Sequence, residues 1–329
     1  MVNMITATTI LYLYTETPLH VGVGSGLSSI DLPIQRERTT QYPMIQGSGI
    51  KGKLRATAEF EKVSDLDILF GSSRNDDKSA KNITGNNAKP DEDSKEHAGA
   101  LIVGDARIFL FPVRSLNGVF AYTTSYDVLN RFVRDIGRGQ TNPQIDWTVP
   151  TPPVDEPTID QPTALVTSPS DLTAHDSTLV LEEFSFKVSS NEQVTKIAKW
   201  IANNALPKYG NDKEGSYWQE KLKRSLVILP DNDFRDFALY ATEIITRVRI
   251  DRESKTVEGG ALWTEEHLPT DTLLYVPIYA TNSRKNGHNQ TGTEILQIAR
   301  SLNKTTGSYL QLGGDETVGR GIVRTRWGS

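Results

Sequence analysis

Near the start of the chain, Ile5, Ala7, Thr9, Leu11 and Leu13 alternate with Thr6, Thr8, Ile10 and Tyr12. Successive side chains of a strand point to opposite faces, so this period of two predicts a strand. A glycine-rich loop follows, and a helix is predicted to begin near Ser48. Residues 100–113 (ALIVGDARIFLFPV) and 119–124 (VFAYTT) read as paired strands around the turn signal Asn117-Gly118. Val128, Leu129, Phe132, Val133 and Ile136 then recur on one helical face, with Ser125 placed as the N-cap. STLVLEEFSFKVS (177–189) is strand-like, and NEQVTKIAKWIANNAL (191–206) is an amphipathic helix. Later come a helix from about Asp233, the strands EIITRVRID and DTLLYVPIYA, the helix TEILQIARSL and a final strand GIVRTRW. This mixed order predicts an α+β protein with a ferredoxin-like core and large excursions, in one domain spanning residues 1–329.

The pattern lapses in two places. Residues 72–98 carry almost nothing apolar and mix both charges, which predicts a mobile surface insertion. Residues 139–169 are dense in proline and threonine, and Pro143, Pro150, Pro152, Pro153, Pro157, Pro162 and Pro169 oppose a regular helix or central strand there.

Composition narrows the chemistry. The chain is 37% hydrophobic and 23% charged, as in an ordinary globular protein. It holds no run of about 18 apolar residues, and its N-terminus lacks the basic start and cleavage site of a signal peptide, so the expected location is the cytoplasm, away from membranes. With no cysteine, disulfides, thiolate metal sites and cysteine nucleophiles are excluded. The histidines (His20, His97, His175, His267, His288) are scattered without a paired metal-ligand spacing. A net charge of −5 argues against nucleic-acid binding on average, but phosphate contacts need only a few cations on one surface.

Three clusters carry candidate chemistry. PLHVGVGSG (18–26), with SSIDLPIQRER and YPMIQGSGIKGKLR after it, combines a flexible glycine run with a helix start. Gly47 to Lys53 matches the opening of a phosphate-binding P-loop, but Leu54 stands where that loop needs a hydroxyl for magnesium, which demotes a nucleotide triphosphatase. Gly47, Ser48 and Gly49 still open a helix whose N–H groups favour phosphate. Lys51, Lys53 and Arg55 crowd its first turns against the helix dipole, for which a bound polyanion is a reason. The second cluster, TRVRI (246–250) through LWTEEHLP, reads as an extended hairpin, and an ordinary solvated hairpin fits the pattern equally well. The third, QLGGDETVGRGIVRTRW, joins Gly313, Gly314, Gly319 and Gly321 to Arg320, Arg324 and Arg326, donors suited to phosphate, or else forms a plain turn with a basic edge.

The blocks TPLHVGVGSGLSSIDLPIQRER, YPMIQGSGIKGKLR, GDARIFLFPVRSLNGVFAY, TRVRIDRESKTVEGGALWTEEHLP and LQLGGDETVGRG together resemble the backbone subunit of type III-B CRISPR (Cmr) effector complexes, in the RAMP superfamily. The resemblance implies a modified RNA-recognition-motif palm and a long β-hairpin thumb, here within residues 246–280. It implies copies stacked head to tail along a guide (CRISPR) RNA beside other Cmr subunits, with complementary target RNA cut at regular intervals. Within these blocks it places the catalytic aspartate at Asp31, the palm histidine at His20 and the thumb acid at Glu265, with Glu266 the alternative; many relatives carry an aromatic residue where this chain has His267. Guide contacts would fall on Gly47, Ser48, Gly49, Lys51, Lys53 and Arg55, and on Gly319 and Arg320. Cleavage would need a divalent cation, Mg2+ or Mn2+, held by Asp31. The competing expectations are a catalytically silent RNA-binding scaffold and a metal-independent endonuclease that processes the guide.

Overall fold

The computed structural model describes residues 5–26, 29–64, 66–72, 97–137, 144–153, 162–174, 177–208, 213–302 and 308–328. In chain order the first elements are β1 (Ala7–Thr15), β2 (Met44–Ile45), α1 (Gly47–Phe60), α2 (Leu66–Phe70), β3 (Leu101–Val103), β4 (Ala106–Arg114) and β5 (Phe120–Ser125). Then come α3 (Tyr126–Gly137), β6 (Thr163–Val166), β7 (Thr178–Leu181), β8 (Phe184–Ser190), α4 (Glu192–Asn204), α5 (Lys213–Ser225), β9 (Leu226–Leu229) and α6 (Asp231–Tyr240). The chain ends with β10 (Glu243–Ile250), β11 (Val257–His267), β12 (Leu273–Ala280), α7 (Gly292–Ser301), β13 (Tyr309–Gln311) and β14 (Ile322–Trp327).

The predicted core is present as two strand–helix–strand units, β1-α1-β4 and β12-α7-β14. Their strands lie in the order β14-β1-β12-β4, each antiparallel to its neighbour, which is the ferredoxin-like interleaving of the two units. Everything from Ser115 to Thr272 is therefore an excursion between the two units. Part of it extends the sheet. The first half of β4 pairs β12 and its second half pairs β5, after which β9, β6, β8 and β7 follow. Another part, β10 and β11, forms a separate ribbon.

Apolar packing explains the palm. Phe132 of α3 stacks on Phe109 of β4 at 4.1 Å, and Tyr12, Tyr275, Trp147 and Trp200 close around the pair. Ser125 Oγ accepts from the Val128 N–H at 3.4 Å, so the helix starts where its cap was predicted. Thr291 and Glu294 form a reciprocal capping box at the start of α7.

Some boundaries differ from expectation. Within 139–169, Thr163–Val166 forms β6, bonded on both sides by β8 and β9. The strand falls between Pro162 and Pro169, so it keeps every N–H it needs. The hairpin covers Glu243–His267, while 273–280 of the region expected to hold it is β12 in the middle of the palm sheet. Residues 73–96, which carry most of the first predicted insertion, and 139–143 and 154–161 of the second, lie outside the described residues. Among the described residues, no helix is long and apolar enough to cross a membrane.

Candidate catalytic site and nucleic-acid interface

The base of the ribbon docks on the palm through β11. Leu32 bridges Glu265 in parallel fashion, with its N–H on Thr264 O (3.0 Å) and its carbonyl accepting from the Glu266 N–H (3.0 Å). Leu19 exchanges both backbone bonds with Leu268 at 2.9 Å. Two palm loops are thereby stitched to the end of β11 and the residue after it, between Thr264 and Leu268, and each carries a predicted site residue.

Asp31 projects from the first loop and is exposed; its Oδ2 accepts from the Thr264 N–H (2.8 Å) and hydroxyl (2.9 Å). The Thr264 backbone bond, then the hydroxyl bond, hold the Asp31 carboxyl below the ordinary carboxylate value, so it is ionised at neutral pH. His20 lies in the second loop, its Nδ1 at 2.7 Å from Glu266 O. A carbonyl oxygen only accepts, so Nδ1 carries a proton, and in the neutral ring the lone pair would lie on Nε2. Two glycines make room for this histidine. A side chain at Gly22 would meet His20 Nε2 at 2.6 Å, and one at Gly313, where φ is +72°, would meet the His20 carbonyl at 2.1 Å. The C-terminal glycine loop thus closes against the histidine, and Gly314 N–H donates to His20 O at 2.9 Å.

Glu265 and Glu266 alternate across β11 and do different work. Glu266 is buried and structural: it pairs with Arg36, accepts from Ile34 N–H (3.0 Å) and accepts from the Thr242 hydroxyl (2.9 Å). Glu265 shares the opposite face with Trp263 and His267; its Oε1 takes the Trp263 indole N–H (2.8 Å) and its Oε2 the Arg247 Nε–H (2.9 Å). Burial pushes the Glu265 carboxyl up, but the Trp263 and Arg247 hydrogen bonds outweigh it and leave the group below its ordinary value. Arg247 also reaches Asp315 Oδ2 at 2.9 Å, tying the ribbon to the glycine loop.

The predicted RNA contacts divide into two kinds. Lys51 points inward, its Nζ donating to Leu101 O at 3.0 Å, and burial holds its pKa down. Arg55 donates to Glu59 (3.0 Å) and to Gly71 O (3.2 Å). Gly47 N–H is taken by Asp105 Oδ1 at 2.8 Å, and Gly49 N–H by Gln46 O at 3.0 Å, while Ser48 is exposed on the first turn. Lys53 faces outward and lines a cavity of about 320 Å³ with Phe60, Tyr309 and Gln311. Gly319 is exposed with φ +76°, beside Arg320. The structure therefore gathers Asp31, His20 and Glu265 on the ribbon base, beside the C-terminal glycine loop, while Lys53 of α1 meets Tyr309 and Gln311 of β13, the strand that leads into that loop.

The sequence profile of the RAMP superfamily matches residues 12–324. The chain is 38% identical over 316 residues to a Pyrococcus furiosus protein named CRISPR system Cmr endoribonuclease Cmr4, covering 95% of this chain and 92% of that one. The chain belongs to the RAMP superfamily, in its Cmr4 family. A Saccharolobus solfataricus protein named CRISPR system CMR subunit Cmr4 is 27% identical over 325 residues, covering 96% of this chain and 95% of that one. The fold is similar to that of oligomeric Cmr4 from Pyrococcus furiosus, with a TM-score of 0.67 and 31% identity over 98% of each chain. It also resembles a chain of a type III-B Cmr-beta assembly bound to cognate target RNA, with a TM-score of 0.63 and 22% identity over 98% of each chain.

Against this RAMP framework, the partners of the site residues were the part hidden in the sequence. Thr264 sits beside Glu265 in the LWTEEHLP block but gives no pattern of its own. Asp315 lies inside the glycine block as an ordinary loop acid, yet its φ of 61° and its bond to Arg247 place it at the site. Arg247 was visible only as a cation on a hairpin face.

Proposed function

We propose that this chain is the guide-RNA-binding, repeating backbone subunit of a type III-B Cmr effector complex and that it cuts complementary target RNA at Asp31. The observation that carries this reading is the convergence of an exposed, ionised Asp31 on Thr264 and of His20, with Nε2 turned away from its carbonyl partner, on Glu266 of the same strand β11, in a Cmr4-family chain. RNA supplies its own nucleophile, the ribose 2′-hydroxyl, so the protein needs only to align it, accept its proton and offset the phosphorane charge. His20 Nε2 has the geometry of a base, since its other nitrogen is locked on a carbonyl. Asp31 can accept a proton or hold a cation. Glu265, with both oxygens engaged by Trp263 and Arg247, positions the ribbon base rather than moving protons.

A divalent ion fits Asp31. Both Thr264 bonds fall on Oδ2, the group is open to solvent, and magnesium is commonly held by one or two carboxylates together with substrate phosphates and water. Bound there, Mg2+ or Mn2+ would supply charge stabilisation at the scissile phosphate. The ribbon tip supports the thumb role: Val248, Ile250, Val257 and Leu262 are exposed there, and apolar side chains of this kind wedge between stacked bases. Copies stacked along the guide, with other Cmr subunits at the ends, complete the reading.

The test is a complex reconstituted with guide RNA and carrying Asp31→Asn in every copy. Guide and target binding should match wild type, while target cutting falls by at least about a hundredfold, the low end for loss of an acid–base or metal-holding group. A chelator should stop wild-type cutting. Wild-type cutting by Asp31→Asn would overturn the assignment of cleavage to Asp31, a wild-type complex that binds target without cutting it would leave a silent scaffold as the function, and cutting indifferent to chelator would point to metal-independent cleavage.

A further inference from the structure

Beside the catalytic loop, Glu265, His267 and Asp315 bring potential ligand atoms within 4.8 Å of one another. Glu265 and His267 stand two residues apart on β11 and so share a face; Asp315 arrives from the glycine loop. His267 is the unexpected member. It is fully buried, yet neither ring nitrogen has a hydrogen-bond partner among the described residues. Its Nε2 faces Glu265 Oε2 at 3.5 Å, so the ring is aimed into the cluster. Buried polar groups are normally satisfied, and an orphan pair on an imidazole asks for a ligand.

We propose that Glu265, His267 and Asp315 form a second divalent-cation site, distinct from Asp31, that takes an ion accepting mixed nitrogen and oxygen ligands, with Mn2+ preferred to Mg2+. One imidazole and two carboxylates are a donor set that suits manganese, cobalt or zinc, whereas magnesium strongly favours all-oxygen shells. Arg247 occupies the same position in the ion-free chain, with Nε on Glu265 Oε2 and Nη2 on Asp315 Oδ2, each at 2.9 Å. The two carboxylates carry two negative charges; a guanidinium offsets one of them and a divalent ion both. The Arg247 side chain is 24% exposed and that of Asp315 28%, which gives the arginine room to leave and an ion a way in. With the ion bound, the ribbon base and the glycine loop would be joined by coordination where Arg247 joins them by hydrogen bonds.

The site is tested on the RNA-free full chain, stripped of ions and titrated with Mn2+, the unbound ion being read from its aqueous paramagnetic resonance signal. Wild type and Asp31→Asn should each bind one ion at this cluster and retain it against excess Mg2+. His267→Phe keeps the ring volume, and Asp315→Asn keeps a side chain that tolerates left-handed backbone. Each should weaken binding by more than about tenfold, since even an outer-layer partner of a metal ligand is worth that much. Arg247→Gln should tighten binding severalfold by removing the competing cation, a direction that a purely structural cluster would not produce. Circular dichroism confirms that each variant is folded. The proposal is overturned if folded wild type binds no Mn2+ at millimolar concentration, if both ligand variants bind as wild type, or if Asp31→Asn alone loses the ion. Target cutting is not measured here, so failure of this site and failure of the Asp31 reading are told apart.

Discussion

The ribbon β10–β11 and the strand that follows it, β12, have similar β-forming sequences but are held by different forces. β12 has β1 on one side and β4 on the other, and it buries Leu273, Leu274, Tyr275, Val276 and Ile278. Its place is fixed by apolar area removed from water, a non-directional force spread over many side chains. In the ribbon, β10 and β11 have only each other as full strand partners, and Ile244, Val248, Ile250, Val257 and Leu262 lie exposed. What is buried in the ribbon is its base, where Glu265, Glu266 and His267 follow one another. Polar contacts are directional and few, so a single side chain can hold or release the ribbon while the palm stays folded.

Glu266 offers the strongest way to break that contrast. Its carboxylate side chain is 3% exposed and that of its partner Arg36 12%, and removing one member of a buried ion pair typically costs about 3–5 kcal/mol. Glu266→Gln should therefore speed amide exchange about a hundredfold or more across β10, β11 and residues 31–36, with little change in the β1, β4 and β12 amides. Equal loss of protection throughout would mean that ribbon and palm unfold as one unit and that the contrast is false.

A smaller effect separates charges used inside the protein from charges left outward. Lys51 and Arg55 already donate to backbone carbonyls, whereas the side chains of Lys53 and Arg320 make no hydrogen bond or ion pair among the described residues. Lys53→Ala and Arg320→Ala should each flatten the salt dependence of guide-RNA binding by about 0.7, the single-strand value per phosphate contact. Lys51→Ala should leave that slope nearly unchanged and lower the melting temperature instead. Equal slopes in all of these variants would return the start of α1 to a purely structural role.

The same division explains what could be read from the sequence. Periodicity reports burial, so β1, α3, α4, β12 and α7 were all legible, and so was the ferredoxin-like order they make. β9 is only Leu226–Leu229, too short to show a period, and α5 before it has a largely polar sequence; both were missed. β6 was hidden by the prolines around it. At the site, Asp31, His20 and Glu265 were placed by their family blocks, but the bonds to Thr264, Glu266 and Arg247 are long-range pairings that no local pattern encodes. Lys51 shows the reverse: its spacing suggested an outward cation, and tertiary packing turned it onto Leu101.

The junction between the two regions gives the smallest and most discriminating test. Asp271 sits in the turn from β11 to β12 with φ at 70°, and its Oδ1 accepts from the Tyr14 hydroxyl. Burial, the largest influence, raises its pKa above 3.8, against the opposing pull of the Tyr14 hydrogen bond and Lys221. A raised folded-state pKa means that the folded chain holds this proton more tightly than the unfolded one. Stability from this group is therefore full at low pH and is lost as pH rises through the folded value. Asp271→Asn removes the charge, keeps an oxygen for Tyr14 and suits left-handed backbone. The variant should melt higher than wild type at pH 7, by about 2 °C or less for a chain of this length. The gap should close as pH falls below 3.8, where the aspartate is neutral in both states. A variant that melts lower at pH 7 would mean that Tyr14 and Lys221 stabilise the charged carboxylate more than burial opposes it. The turn would then be held as the ribbon base is held, by specific polar partners, and the apolar regime of the palm would begin only at β12 itself.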